Sequence, residues 1–162
     1  MQLTNHTASE LLERLNSGSI SAVEVADEVI NKIGETGNLG AIAAFDPNAY
    51  RVQAEASDRR RAREEAGCLD GIPLVLKDNI NTADLPTTGG TGALVGMIPT
   101  KDAPAAAALR REGAILAAKA VMHELAFGIT SNNSVTGPAR NPYKPSMIPG
   151  GSSGGTAAAV SA

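Results

Sequence analysis

The chain has 162 residues, 43% hydrophobic and 19% charged, with 14 basic and 17 acidic side chains for a net charge of −3. That is the composition of a globular domain of ordinary size, and its mild acidity argues against nucleic-acid binding as the main task. Two Phe, two Tyr and no Trp leave few rings for base stacking, and the lone Cys68 leaves no partner for an intrachain disulfide, which suits a reducing compartment.

The first residues, Met1 to His6, lack the basic region and apolar core of a signal peptide. No run approaches the ~18 apolar residues of a membrane span, so the expectation is a cytoplasmic protein with no membrane contact. Thr7-Ala8-Ser9-Glu10 is a capping box that opens a helix with Leu11, Leu12 and Leu15 on one face and Gly18 at its end. Ser21-Ala22-Val23-Glu24 opens a second helix. Its apolar stripe is Ala26, Val29, Ile30 and Ile33, and Gly34 reads as its C-terminal stop.

Ala41 to Phe45 reads as a short buried strand, after which Asp46-Pro47 supplies an N-cap and a first-turn proline. The helix that follows is predicted to run to about Ala66. Its many arginines read as a solvated face with i,i+4 pairs such as Arg60–Glu64, in preference to an anion site. Ile72 to Leu76 is a short apolar strand entered through Gly71, which places Lys77 at or just past its end beside Asp78 and Asn79. A lysine held in a desolvated polar pocket can act as a general base, because burial disfavours the charged form.

Asn81 to Thr100 is rich in glycine and proline and reads as irregular loop over a pocket rim. Asp102-Ala103-Pro104 then caps a helix to about Glu112, Gly113 breaks it, and Ala114 to Ala118 is the next strand. Helix, glycine and strand in alternation imply an α/β sheet that is at least partly parallel. Met122-His123-Glu124-Leu125-Ala126-Phe127 resembles a zinc helix only in part, since Phe127 stands where a second histidine is needed, so no metal is expected. Ser131 to Ser146 reads as loop, and neither a repeat nor a domain boundary is apparent.

The densest signal comes last. In Ile148-Pro149-Gly150-Gly151-Ser152-Ser153-Gly154-Gly155-Thr156, four glycines bracket two serines, and an alanine-rich helical run follows. Glycine at this density suits backbone that takes positive φ or approaches something closely. The helix N-terminus offers free amides and a positive dipole end. An anion cradle and a mount for a reactive serine both follow from that. The loop has neither the lysine of a P-loop nor the G-x-G-x-x-G of a dinucleotide fold, and a flexible linker would not run straight into an apolar helix.

Pro149 to Val160 resembles the core of the amidase signature family, and Gly71-Ile72-Pro73-Leu74-Val75-Leu76-Lys77-Asp78-Asn79 resembles that family's upstream lysine segment. Asn141-Pro142-Tyr143 and the stretch from Phe127 and Gly128 to Ser131 match as well. The separation of the two motifs, 152 − 77 = 75 residues, is the family's. The resemblance implies an α/β fold whose mixed sheet is covered by helices on both faces. It further implies an amidase using a Ser–cis-Ser–Lys triad, with Lys77 as base and Ser152 as relay serine. Gly151–Ser152 would be the cis peptide, and Gly150, Gly151, Ser153, Gly154 and Gly155 would support the loop. The implied partner is a small-molecule amide, and no metal or organic cofactor is called for.

In that family the nucleophilic serine follows the first serine of the glycine loop by roughly two dozen residues, in a segment whose amides also form the oxyanion hole. Here 162 − 152 = 10 residues follow Ser152. The expectation is therefore that residues 1–162 are the N-terminal portion of a single amidase domain, truncated before the nucleophile, and inactive alone. Met122 to Asn133 is similar to the aryl-acetamide branch, which includes mandelamide and indoleacetamide hydrolases. Two alternatives stand beside it: the A component of a glutamyl-tRNA amidotransferase, and a non-catalytic truncated chain.

Overall fold

The computed structural model describes residues 2–162. They form a mixed α/β structure whose three strands are ordered β1-β3-β2, with β1 at Ile42–Phe45, β2 at Pro73–Lys77 and β3 at Ile115–Ala120. β1 runs antiparallel to β3, pairing Ile42 with Ala120 and Phe45 with Ala118. Gly71, Ile72 and Asp78 bond Gly113, Ile115 and Ala120, so numbering rises together along both segments and β2 runs parallel to β3. Every residue of β3 is buried, as suits a central strand, whereas β1 and β2 are half-buried throughout. The buried β1 of the sequence reading is corrected by that edge position.

Two compact units interleave along the chain. The first is Met1–Gly34, Asp46–Leu74 and Ala107–Ala117; the second is Glu35–Phe45, Val75–Ala106 and Ala118–Ala162. In the first unit, α1 (Ala8–Asn16) carries a complete capping box between Thr7 and Glu10 and buries Leu11 and Leu15. α2 (Ala22–Glu35) has the matching reciprocal bonds between Ser21 and Glu24, at 2.8 and 3.1 Å. Gly34 does not stop it: the helix runs through that residue.

α3 (Pro47–Arg61) starts under the Asp46 carboxylate, which accepts from the amides of Asn48 and Ala49 at 3.0 Å each. It ends well short of Ala66. Glu65 N–H bonds Arg60 O and Glu64 N–H bonds Arg61 O, while Glu64 takes φ 60. That is a Schellman stop built without glycine. Midway along α3, Asp58 accepts from the amides of Ala22 and Val23 at 2.7 and 3.1 Å, so one helix caps the start of another.

Of the three arginines in the last turn of α3, Arg59 keeps the expected exposed i,i+4 pairing, with Glu55 at 3.9 Å, whereas Arg60 and Arg61 turn to Asp70. Arg60 forks onto Asp70, with Nε to Oδ2 at 2.7 Å and Nη2 to Oδ1 at 2.9 Å, in place of the expected pair with Glu64. Asp70 is fully buried and also accepts from the Ser57 hydroxyl, while Arg61 donates to the Asp70 carbonyl and to Asn16 Oδ1. Beside it, Gly71 lies so close that an added Cβ would sit 3.1 Å from Leu15, 3.1 Å from Ser57 and 3.3 Å from Ala22. The first unit closes around this point.

Burial alone would raise the Asp70 pKa, but the hydrogen bonds from Arg60 and Ser57 and the charge of Arg60 outweigh it and hold the carboxyl below its ordinary range. With the folded value below the unfolded value of about 3.9, this carboxylate stabilises the fold above about pH 4 and ceases to as pH falls through the folded value. Asp70→Asn should lower stability near neutral pH by about 1–3 kcal/mol and flatten its acid dependence. Urea denaturation of both proteins across that pH window checks this; an unchanged acid slope would count against it.

Candidate active site

All residues of the site lie in the second unit. β2 ends on Lys77, and pairing with the central strand continues one residue further, where Asp78 N–H bonds Ala120 O at 3.0 Å. The chain then turns, with Ile80 N–H on Lys77 O at 2.9 Å. Lys77 is half-buried, and its Nζ donates to Ser152 Oγ at 2.7 Å across 75 residues of sequence. The two residues singled out as base and relay are thus in direct contact.

Ser152 is carried by a loop pinned to the continuation of β3. Its carbonyl accepts from His123 N–H at 3.0 Å, and Gly155 N–H bonds Val121 O at 3.0 Å. Val121 N–H in turn bonds Ala41 O at 2.9 Å. Gly150 takes φ 85, and the Gly151–Ser152 peptide is cis. The last helix, α5 (Gly154–Ser161; α4 is Pro104–Arg111), starts immediately afterwards, and Gly154 and Gly155 are both buried. A Cβ at Gly155 would lie 2.6 Å from Ala41 O, backbone that cannot give way, so only glycine allows the helix to start there. Ser153 is exposed and heads α5 without a side-chain cap bond.

The structure adds a second lysine that the sequence reading passed over. Lys119 lies in the buried central strand, one residue beyond the predicted strand end at Ala118. Its Nζ donates to Thr87 Oγ1 at 2.6 Å and Pro86 O at 3.2 Å and stands 3.6 Å from Asp78 Oδ1. Asp78 also receives the Thr88 amide and hydroxyl. Burial pushes the Lys119 pKa down, and the Asp78 charge opposes that shift. The available signal was a lysine inside the otherwise apolar run from Ile115 to Met122, where an unpaired charge has no place.

His123 lies against Gly128 and has Nδ1 3.2 Å from Thr130 Oγ1. Among the described residues, no group of three or more His, Cys, Asp or Glu side chains is placed to hold a metal ion. Cys68, in the first unit, is exposed and donates to Glu112, a bond that pushes its thiol pKa up. A cavity of about 300 Å³ bounded by Leu39, Pro142, Tyr143 and Ala162 includes neither Lys77 nor Ser152.

Lys119→Met should cost about 3–5 kcal/mol, because it leaves the Asp78 carboxylate buried without its counter-charge. Adding Asp78→Asn should recover part of that loss. Urea denaturation of the two single variants and the double variant reads the coupling; strict additivity would show that the pair does not act as one.

The family described as Amidase matches residues 24–162. The chain is 44% identical over 153 residues to an indoleacetamide hydrolase of Agrobacterium vitis, a match spanning 94% of this chain and 32% of that protein. It is 37% identical to the A component of a glutamyl-tRNA(Gln) amidotransferase of Geobacter sp. (strain M21), over 100% of this chain and 34% of that one. The solved peptide amidase of Stenotrophomonas maltophilia superposes with a TM-score of 0.89 at 34% identity, over 96% of this chain and 34% of that one. The chain thus spans about a third of the length of the curated relatives it matches. A match of this extent, on a fold shared at this similarity, makes the chain a member of the amidase signature family.

Proposed function

We propose that this chain supplies the lysine and relay serine of an amide hydrolase whose nucleophilic serine belongs to the complete protein. The carrying observation is the 2.7 Å contact between Lys77 Nζ and Ser152 Oγ. In the proposed acylation step, the Lys77 amine in its unprotonated form takes the Ser152 hydroxyl proton. Ser152 takes one from the nucleophilic serine, whose oxygen bonds the amide carbon. The C–N bond breaks as its nitrogen receives a proton returned through the same two residues, and ammonia or an amine departs. Water then attacks the acyl ester, releasing the acid and restoring the serine. The 162 residues alone are proposed to be inactive.

For the substrate we propose a small primary amide of the arylacetic type. The 44% identity to an indoleacetamide hydrolase supports this. So does the exposure of Leu125, Phe127 and Ile129, whose segment backs the serine loop: a Cβ at Gly151 would lie 2.8 Å from the Ile129 carbonyl carbon. The second reading, glutamine hydrolysis within an amidotransferase, has its own support in the 37% identity to such an A component over the whole chain.

Ammonia release by the full-length protein from indoleacetamide, mandelamide and glutamine separates these readings. The expected outcome is turnover of the aryl-acetamides, with Lys77→Ala and Ser152→Ala each lowering kcat on the order of 10²–10⁴-fold. Glutamine hydrolysis that requires partner proteins would select the second reading. Failure on every primary amide would defeat the first.

A further inference from the structure

The proton route through Lys77 and Ser152 does not use the buried hydroxyl that touches the serine loop, that of Ser131. Ser131 is fully buried and takes φ 53, a left-handed conformation for a residue other than glycine. Its backbone is anchored where Ala139 N–H bonds Ser131 O at 3.1 Å. Its Oγ donates to Gly150 O at 2.8 Å and accepts from Gly154 N–H at 2.7 Å. A serine hydroxyl has one proton and spare lone pairs, so a single atom ties together the two backbone groups that flank Gly151, Ser152 and Ser153.

The steric surroundings fit the same role. A Cβ at Gly151 would lie 3.0 Å from Ser131 Oγ, and one at Gly154 would run into that atom outright. Both glycines therefore admit the hydroxyl between the loop's two ends. The Ser152 carbonyl is held separately by His123 N–H. Backbone is thus fixed before, at and after the residue whose Oγ must meet Lys77.

We propose that Ser131 is a positioning residue for the relay: by bridging Gly150 and Gly154 it keeps Ser152 Oγ within hydrogen-bond reach of Lys77 Nζ. The proposal rests on the Lys77–Ser152 reading given above. Removing the hydroxyl leaves the buried Gly154 amide without its acceptor, and the loop must shift to find another. A displacement of about 1 Å at a reacting group is enough to cost on the order of 10²-fold in rate.

The test is a double-mutant cycle in the full-length protein on an amide it hydrolyses, with rates normalised to the folded, titratable fraction. Ser131→Ala should lower kcat about 10–10²-fold with KM within about twofold, and it should cost nothing further on the Ser152→Ala background. A residue that only helps the chain fold would lose titratable sites instead, or its effect would persist undiminished without Ser152. Either result overturns the proposal. If Ser131→Ala does not fold, Ser131→Gly, which removes the hydroxyl and adopts φ 53 without strain, goes through the same cycle. A kcat loss that vanishes with Ser152→Ala then supports the proposal, and no loss or an additive one overturns it. If Ser152→Ala itself leaves kcat unchanged, the Lys77–Ser152 reading fails, a result separable from failure of the clamp.

Discussion

Backbone hydrogen bonds to residues 120–123 decide where Lys77 and Ser152 sit. Ala120 O receives the Asp78 amide and so fixes the end of β2, while Val121 O and His123 N–H hold the serine loop at Gly155 and Ser152. Two groups 75 residues apart in sequence are thus registered by three residues, Ala120, Val121 and His123, of one short chain segment. Backbone pairing has little freedom, since each buried N–H and C=O must find a partner. The 2.7 Å contact between Nζ and Oγ inherits its precision from that segment and does not depend on the flexible lysine stem finding its own place.

The same neighbourhood keeps its two lysines apart in chemistry. Lys119 is enclosed, with Thr87, Pro86 O and Asp78 as fixed partners, whereas Lys77 is half-buried and points at a serine. Asp78 is the hinge between them, adjacent to Lys77 in sequence and facing Lys119 in space. Its side chain is occupied by Lys119 and by the amide and hydroxyl of Thr88. A buried ion pair of this kind contributes little net stability over an apolar pair. What it does here is tie the loop at 86–88 to the central strand right where β2 ends.

Much of this was legible because it is local. Capping boxes at Thr7 and Ser21, the Asp46-Pro47 start of α3 and the glycine-flanked serine loop are patterns within a few residues, and each mechanism that makes them is local too. The pairing of Lys77 with Ser152 was legible only through the resemblance of two motifs, since no local rule spans 75 residues. What stayed hidden was long-range or atypical. Arg60 chooses Asp70 over Glu64 because a buried carboxylate with a fork of donors outweighs an exposed i,i+4 pair. Asp58 caps a helix 36 residues away, and Glu64 ends α3 in a conformation usually left to glycine. Lys119 was visible as an oddity in an apolar run, but its partners come from loops that carry no periodic signal.

The composition of the last segment follows from the same geometry. α5 must start within contact of Ala41 O and Val121 O so that Gly155 can bond the latter, and no side chain fits in that gap. The next turn then packs Ala158 against Leu39 and Ala41, again with small groups. Larger residues would hold the helix off the strand continuation, lengthen the Gly155 bond and carry Ser152 away from His123 N–H. The run of glycine and alanine is therefore a distance requirement written into sequence: side chains are kept small so that backbone can place one hydroxyl against one amine.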